Sequence, residues 1–283
     1  MQTLPNFDHH ILPIGDQTIS YEDSGGQGMA LLLIHGLGDT RRSWRFLAPR
    51  LASAGLRVLL MDLRGCGDAS VDFDGWAGSD FSSDALAVLD HAGVEKAVVV
   101  GCSVGGGTAA HMAAIAPQRV ERIVLVNPFA RDVPADRYFR PMVPFMFANP
   151  WGAWAWGKYF GTLLPTKPEG LADYVTELVA HLKEPGRLVV LRNMLRSSKA
   201  DIEAVLDRVV ADTLFIMGGS DPDFDDPQAE AQLLASKLGG SSRVEIMEGL
   251  GHYPHVEGPE NTARLVLDFI AQAGSWGKVA NGS

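Results

Sequence analysis

Short runs of leucine and β-branched residues alternate along this chain with longer stretches of helical periodicity. The runs are apolar at consecutive positions and are bounded by Gly, Asp or Asn, as in strands that are buried on both faces of a parallel sheet. They cover residues 30–34, 57–61, 96–100, 122–126, 213–217 and 243–247. The pattern therefore predicts at least six parallel strands.

Helical patterns fill the intervals between these runs, and several begin with Ser or Pro, which favour the first turn of a helix. They cover residues 43–54, 79–92, 104–116, 227–237 and 259–273. Upstream, the turn pair Gly15-Asp16 joins residues 8–14 to residues 17–23, which predicts an antiparallel hairpin. We therefore expect an α/β fold with one doubly wound, mostly parallel sheet.

The alternation stops between Pro128 and about Asp207. Residues 128–185 hold eight of the sixteen prolines and three of the six tryptophans, and amphipathic stretches follow at residues 171–182 and 187–195. We expect residues 128–207 to form a small helical cap, which we call the cap segment. The α/β core then comprises residues 1–127 and 208–274, followed by a flexible tail at residues 275–283.

Charge and composition narrow the classes of partner. The net charge is −10, the pI is about 5.2, and no cluster of Lys and Arg interrupts the acidic balance, which disfavours nucleic acid and anionic membranes. We see no export signal and no apolar run of about 18 residues, and the two cysteines, Cys66 and Cys102, allow at most one disulfide. We expect a cytoplasmic protein that binds a small molecule, and we leave a homodimer open.

Residues 101–105 read Gly-Cys-Ser-Val-Gly, directly between a predicted strand and an alanine-rich helix. This context is typical of a nucleophile elbow, in which Ser103 stands on a strained turn and small neighbours make room for the helix behind it. The alternative is a glycine-rich turn whose serine has only a structural hydrogen bond. Because the pattern lies at a strand-to-helix junction, we favour Ser103 as a catalytic nucleophile.

A serine nucleophile needs a histidine base that an acid holds in one tautomer. His252 follows Gly249-Leu-Gly after the last predicted strand, and Asp221 follows Gly218-Gly-Ser after the strand before it. Both positions are at carboxyl ends of strands, where open α/β sheets bind their ligands. We predict His252 as the base, with His255 structural, and Asp221 as the acid in preference to the nearby carboxylates Asp223, Asp225 and Asp226.

A second glycine turn lies in Leu31-Leu-Leu-Ile-His-Gly-Leu-Gly. We expect the backbone N–H groups of Leu37 and Val104 to form an oxyanion hole, since such donors stabilise the negative oxygen of a tetrahedral intermediate. His35 is interpreted as a hydrogen-bonded anchor of this turn.

Four motifs together resemble the α/β-hydrolase fold family, over about residues 8–273. They are His35-Gly36, Asp62-Leu-Arg-Gly-Cys-Gly, the Gly-x-Ser-x-Gly elbow at 101–105, and Gly251-His252 with Glu257 and Pro259 after it. The resemblance is to serine hydrolases of the esterase and lactonase kind. It implies an eight-stranded sheet with a helical cap between strands six and seven, above a Ser–His–Asp site.

Other site chemistries fit the residues less well, so we expect neither a cofactor nor a metal. The glycine turns complete no dinucleotide fingerprint or phosphate loop. The acidic run after Asp221 has Asp226 and Gln232 where a calcium loop needs Gly and Glu. His252 and His255 have no third zinc ligand near them in the sequence.

The expected substrate is a medium-sized, apolar ester, thioester or lactone. Serine at the elbow argues against haloalkane dehalogenases and epoxide hydrolases of this fold, which use aspartate there. Cys102 replaces the asparagine usual in carbon–carbon bond hydrolases, which weakens that alternative without removing it. A cofactor-free haloperoxidase or perhydrolase, or a slow-turnover ligand receptor, also stays open.

Cap residues are the candidates for substrate contacts, since pockets are lined mainly by apolar and aromatic groups. We expect four of them at the cleft, namely Phe145, Met146, Trp151 and Trp154. For most cap aromatics, packing of the cap onto the sheet is the simpler explanation. We interpret the basic residues Arg131, Arg137, Arg140 and Lys158 mainly as a solvated face, and a substrate carboxylate as the less favoured alternative.

Overall fold

The computed structural model describes residues 3–272 and contains one sheet of eight strands. The strands are β1 (Asp8–Ile14), β2 (Gln17–Asp23), β3 (Ala30–Ile34), β4 (Arg57–Met61), β5 (Ala97–Cys102), β6 (Val120–Val126), β7 (Asp212–Gly218) and β8 (Ser242–Met247). Their order across the sheet is β1-β2-β4-β3-β5-β6-β7-β8. The pairs β1–β2 and β2–β4 are antiparallel and the other five pairs are parallel, which confirms the predicted fold class and its initial hairpin.

Helices follow the strands in the expected alternation. They are α1 (Ala48–Ser53), α2 (Gly78–His91), α3 (Val104–Ile115), α4 (Asp136–Met146), α5 (Gly152–Thr162), α6 (Leu171–Leu182), α7 (Arg187–Arg196), α8 (Ala200–Glu203), α9 (Pro227–Lys237), α10 (Pro254–Glu257) and α11 (Pro259–Ala271), with 3₁₀ turns at Arg41–Trp44 and Leu206–Arg208. Helices α4 to α8 lie between β6 and β7, so the cap follows the sixth strand.

The central strand β3 is apolar at every position because helices cover both faces of the sheet. In β3, Leu32 and Ile34 pack into one hydrophobic core with α2 and α3, whereas Leu31 and Leu33 pack into the other with α1 and α11. Successive side chains of a strand point to opposite faces, so each face receives alternate residues of the same apolar run.

One helical prediction differs from the structure, and one helix of the cap segment was not predicted individually. The pattern over residues 43–54 predicts one helix, but the chain forms a 3₁₀ turn at Arg41–Trp44 and then α1. Pro49 lies in the first turn of α1, and a proline farther inside a helix would lose a backbone hydrogen bond and clash with the preceding turn. Helix α4 forms despite Pro141 and Pro144 within it. Its contact with α7 in the cap segment supplies tertiary packing that the sequence pattern does not contain.

The predicted domain boundaries and the flexible tail stay predictions; residues 273–283, which include that tail, lie outside the described residues. Cys66 and Cys102 are both buried and both free thiols, so the one disulfide that the cysteine count allowed does not form. Across residues 3–272, we find no helix with the length and apolar character needed to span a membrane.

Candidate active site

Ser103 stands on a sharp turn between β5 and α3. Its φ of 57° and ψ of −123° lie in a region that side chains rarely adopt. A Cβ atom at Gly101 would lie 2.1 Å from the carbonyl oxygen of Gly105, and one at Gly105 would lie 2.3 Å from that of Ile34. Both glycines are therefore needed for the close approach of the turn to its neighbours, and Ser103 has the backbone of a nucleophile elbow.

His252 and Asp221 are joined at the carboxyl edge of the sheet. The distance from His252 Nδ1 to Asp221 Oδ2 is 2.6 Å, and both side chains are buried. Because a carboxylate can only accept, Nδ1 carries the proton and Nε2 is left as the basic nitrogen. Burial by itself lowers the pKa of His252, but the charge of Asp221 and the hydrogen bond to it outweigh that effect, so the pKa lies above its ordinary value.

Asp223 is the other carboxylate close to the histidine. Its Oδ2 lies 3.8 Å from His252 Nδ1, beyond hydrogen-bond distance, and its Oδ1 accepts from the hydroxyl of Tyr159 at 2.6 Å. Burial raises the pKa of Asp223, partly offset by the charge of His252 and the bond from Tyr159. Farther along, Asp226 accepts from the backbone N–H of Ala229 and caps α9.

Asn127 connects the segments that carry Asp221 and His252, and it is not among the site residues predicted from the sequence. Its side-chain amide donates to the carbonyls of Gly251 and His252 at 3.1 and 3.0 Å, while its oxygen accepts from Gly218 N–H at 3.0 Å. The residue is fully buried at a φ of 41°, a conformation that asparagine tolerates better than most residues. The signal available in the sequence was an asparagine directly after the apolar run at residues 122–126.

The loop that carries Gly251 and His252 is also hydrogen-bonded to the cap segment. The N–H of His252 donates to the carbonyl of Leu163 at 2.8 Å, and the N–H of Gly251 donates to Glu257 Oε2 at 2.7 Å. A Cβ atom at Gly251 would lie 2.2 Å from the oxygen of Leu163. Glycine at position 251 is thus what lets the loop pass this close to the cap.

The other two histidines considered in the sequence analysis are held in structural contacts. His35 donates from Nδ1 to the carbonyl of Gly36 at 2.7 Å and accepts at Nε2 from Leu63 N–H at 3.0 Å, as expected of a turn anchor. His255 Nε2 shares a hydrogen bond with Ser43 Oγ at 2.8 Å, and its ring packs 4.1 Å from that of Trp44. Burial lowers the pKa of His255 well below its ordinary value.

A cavity of about 400 Å³ opens above Ser103, between the sheet edge and the cap segment. Ser103, His252, Leu37 and Val104 all line it. Val104 is the first residue of α3, so its N–H has no acceptor within that helix and is free to meet a ligand. The structure therefore brings the expected nucleophile, base and oxyanion donors to one cavity.

Of the four cap residues expected at the cleft, Met146 lines the cavity and three do not. Phe145, Trp151 and Trp154 are 77%, 51% and 60% exposed, on the outer surface of the cap. The indole of Trp151 donates to the carbonyl of Phe145, which keeps it at the turn between α4 and α5. The prediction that these three residues line the cleft is wrong, because their side chains point outward from the cap.

Other cap aromatics take their place along the cavity, namely Phe139, Phe147, Trp156 and Tyr159. Trp156 is buried and donates from Nε1 to the carbonyl of Gly38 at 3.1 Å, beside the oxyanion turn. On α5, Trp156 and Phe160 are four residues apart and both buried, whereas Trp154 lies on another face. Helical periodicity within the cap could have separated the two groups.

Within residues 3–272, one cluster of side chains has the spacing to hold a metal ion, and it consists of Asp221, Asp223 and His252. One ligand atom from each residue lies within 4.8 Å of the other two. A metal on Nδ1 would replace the proton that His252 donates to Asp221. Metal binding and the orientation of the imidazole are therefore alternatives at this site.

Comparisons with known proteins agree with this architecture. Residues 30–259 match the family model described as the alpha/beta hydrolase fold. The dihydrolipoyllysine-residue acetyltransferase component of the acetoin cleaving system of Pseudomonas putida is 25% identical over 272 residues, covering 91% of this chain and 68% of that protein.

Two solved structures extend the comparison. A hydrolase from Pseudomonas aeruginosa has 27% identity and a TM-score of 0.77, over 95% of this chain and 99% of that one. The bromoperoxidase from Bacillus anthracis is similar in fold, with 23% identity and a TM-score of 0.80, over 93% of this chain and all of that one (100%). The chain belongs to the alpha/beta hydrolase fold family and is a hydrolase of that family.

Proposed function

We propose that the chain is a serine hydrolase that cleaves medium-sized, largely apolar esters, thioesters or lactones through an acyl-enzyme on Ser103. The observation that carries this proposal is the 2.6 Å bond between His252 and Asp221, with Ser103 on its elbow in the same cavity. That bond leaves Nε2 of the imidazole as the basic nitrogen, as a general base requires.

In the proposed mechanism, His252 Nε2 takes the proton of Ser103 as its oxygen attacks the substrate carbonyl. Asp221 stabilises the imidazolium that forms, and the N–H groups of Leu37 and Val104 donate to the oxygen that becomes negative. His252 then returns the proton to the leaving group. A water molecule, activated by the same histidine, hydrolyses the acyl-enzyme and regenerates Ser103.

The cavity supports the apolar substrate class. Its wall includes Phe129, Phe139, Trp156, Phe224 and Leu195, and its volume of about 400 Å³ is in the range of small-molecule sites. Met146 adds a flexible side chain that adapts to irregular ligand shapes.

The test uses purified wild-type protein, Ser103→Ala and the matched control Ser83→Ala, which changes a serine on the exposed part of α2. We expect steady turnover of 4-nitrophenyl butyrate and fluorophosphonate labelling by the wild type and by Ser83→Ala. Ser103→Ala should lose both, with a rate at least about a thousandfold lower, because the nucleophile is gone.

Two results would contradict the proposal. If Ser103→Ala retained more than about a tenth of the wild-type rate, Ser103 would not be the nucleophile, since loss of a catalytic serine lowers the rate far more than about tenfold. A labelled wild type that gives one burst of product and no turnover would instead favour the ligand receptor.

A further inference from the structure

One end of the cavity carries charged side chains from the cap segment and α9. Arg131, Asp136, Lys199 and Glu230 line it together with the apolar residues Val133 and Phe139. The charges that act on Lys199 are those of Asp132, Asp136 and Arg140, and none belongs to the segments of His252 or Asp221. Lys199 therefore lines the same cavity as Ser103 and His252 and lies among charges of the cap segment.

Three of the four charged residues that line this end already have ionic partners. Arg131 donates from Nε and Nη2 to the two carboxylate oxygens of Glu230, at 2.9 and 2.5 Å. Asp136 Oδ2 accepts from Arg140 at 3.2 Å and from the backbone of Val133 at 3.2 Å. These groups form closed ion pairs and need nothing from a ligand.

Lys199 differs from them at its ammonium group. Its backbone N–H donates to Asp132 Oδ1 at 2.8 Å, and that oxygen also accepts from Arg140. The second oxygen of Asp132 accepts from the hydroxyl of Ser198 at 2.5 Å. With Asp132 occupied in this way, the Nζ atom of Lys199 has no hydrogen bond or ion pair with any residue in the range 3–272.

An ammonium group that is partly withdrawn from water and has no partner is unfavourable. Burial lowers the pKa of Lys199, partly offset by the charges of Asp136 and Asp132. A ligand oxygen that reached Nζ would restore hydrogen bonds, and an ionised oxygen would do so most strongly. The two acidic neighbours oppose an incoming anion less than their charges suggest, because Arg140 is bonded to both.

We propose that Lys199 binds a carboxylate at the end of the substrate that is remote from the scissile bond. The substrate is then an ester, thioester or lactone with an apolar middle part and one terminal carboxylate. This inference rests on the proposed function for its reaction, but the site itself is a binding site independent of turnover. The carboxylate partner is therefore Lys199 in place of the four basic residues considered from the sequence. Arg131 and Arg140 are ion-paired, and Arg137 and Lys158 lie over the rings of Tyr138 and Trp154 and do not line the cavity.

The experiment compares chain-matched 4-nitrophenyl esters whose acyl groups end in a methyl, a methyl ester or a carboxylate. A second pair, aryl butyrates with and without a ring carboxylate, places the charge on the alcohol side. The variants are Lys199→Met, which keeps the apolar stem, Lys199→Arg, which keeps the charge, and Lys158→Met as a control with the same change of charge outside the cavity.

We expect the wild type and Lys158→Met to prefer the carboxylate-ended member of one series by about tenfold to a hundredfold in kcat/KM. Lys199→Met should lose this preference through KM, with a much smaller change on methyl-ended esters than on carboxylate-ended ones, while Lys199→Arg should retain much of the preference. Three results would overturn the inference. In the first, the wild type shows no preference for the carboxylate in either series. In the second, the wild type uses the methyl-ester-ended substrate as well as the carboxylate-ended one. In the third, Lys199→Met loses as much kcat/KM on uncharged esters as on charged ones.

Failure of the proposed function gives a different result. In that case the wild type would not hydrolyse even the methyl-ended esters through Ser103, and calorimetric titration of suberate into the Ser103→Ala protein still tests the site. Binding that Lys199→Met weakens about tenfold, and that Lys158→Met leaves unchanged, supports the carboxylate site. Equal binding by all variants, or no binding, overturns it.

Discussion

Asn127 offers the sharpest test of how the base and acid are held together. In Asn127→Ala, three buried backbone groups lose the hydrogen bond that this side chain supplies, namely the N–H of Gly218 and the carbonyls of Gly251 and His252, and the last keeps only a weak bond from Cys102 Sγ at 3.7 Å. Each unsatisfied group costs about 1 kcal/mol at the lower end of its range, and alanine in the left-handed region adds about 1 kcal/mol. We therefore expect the free energy of unfolding to fall by about 4 kcal/mol.

Catalysis should decline in the folded variant as well. The amide of Asn127 fixes Gly218, three residues before Asp221, and also the carbonyl of His252, so its loss frees both partners of the 2.6 Å bond. We expect kcat to fall more than about tenfold with little change in KM, since a loosened base affects the chemical step more than substrate binding.

The measurements are urea unfolding followed by tryptophan fluorescence, and kcat and KM for 4-nitrophenyl butyrate at a temperature where the variant is folded. Thr213→Val is the control, because it removes a buried hydroxyl bonded to Ala211 at the opposite end of β7. It should cost about 1 kcal/mol and leave the kinetics unchanged. A loss below about 1 kcal/mol in Asn127→Ala, with kcat within about twofold of wild type, would refute this reasoning.

Three further predictions concern the site. In Asp221→Asn the plateau of kcat/KM should fall about 10⁴-fold, whereas Asp223→Asn should keep the plateau within about tenfold. Asp223→Asn should also move the rise of activity to lower pH, because the negative charge of Asp223 raises the pKa of His252, which must be neutral to act. Measured pH–rate profiles distinguish the two variants, and the reverse order of losses would exchange the roles of Asp221 and Asp223. His255→Ala should lower the free energy of unfolding by about 2 kcal/mol in thermal or urea unfolding while activity stays within about tenfold, and a complete loss of activity in folded protein would contradict its structural role. Trp156→Ala should alter the preference for acyl length across an ester series and Trp154→Ala should not, since only the first lines the cavity; equal profiles for both variants would contradict the assigned wall.

The strands and their order along the chain could be predicted from the sequence, because a strand that is buried on both faces is a continuous run of apolar residues. The runs at residues 30–34 and 57–61 coincide with β3 and β4, and the hairpin coincides with β1 and β2. Ser103, Asp221 and His252 could be placed in one region for a related reason, since each follows a strand and parallel strands end at the same edge. Their catalytic roles stay predictions.

Features that depend on contacts between distant segments were not predictable in the same way. The role of Asn127 depends on β6 lying beside β7 and on the loop that carries His252, both far away in sequence. The direction of Trp154 and Trp156 depends on which face of α5 meets the oxyanion turn, which apolar content alone does not reveal. Lys199 could be recognised only once the partners of its charged neighbours were known.

The hydrogen bond from His252 to the carbonyl of Leu163 has a consequence for how this chain can be recombined with relatives. Exchange of residues 128–207 for another cap would leave both chain junctions intact, yet it would also replace the backbone group on which the histidine loop rests. Glycine at position 251 fits only a donor cap whose backbone follows the same path at that point. A change of cap therefore affects substrate specificity and turnover at the same time. A transplanted cap would first have to reproduce the path of the main chain at Leu163, and only then could its pocket confer a new specificity.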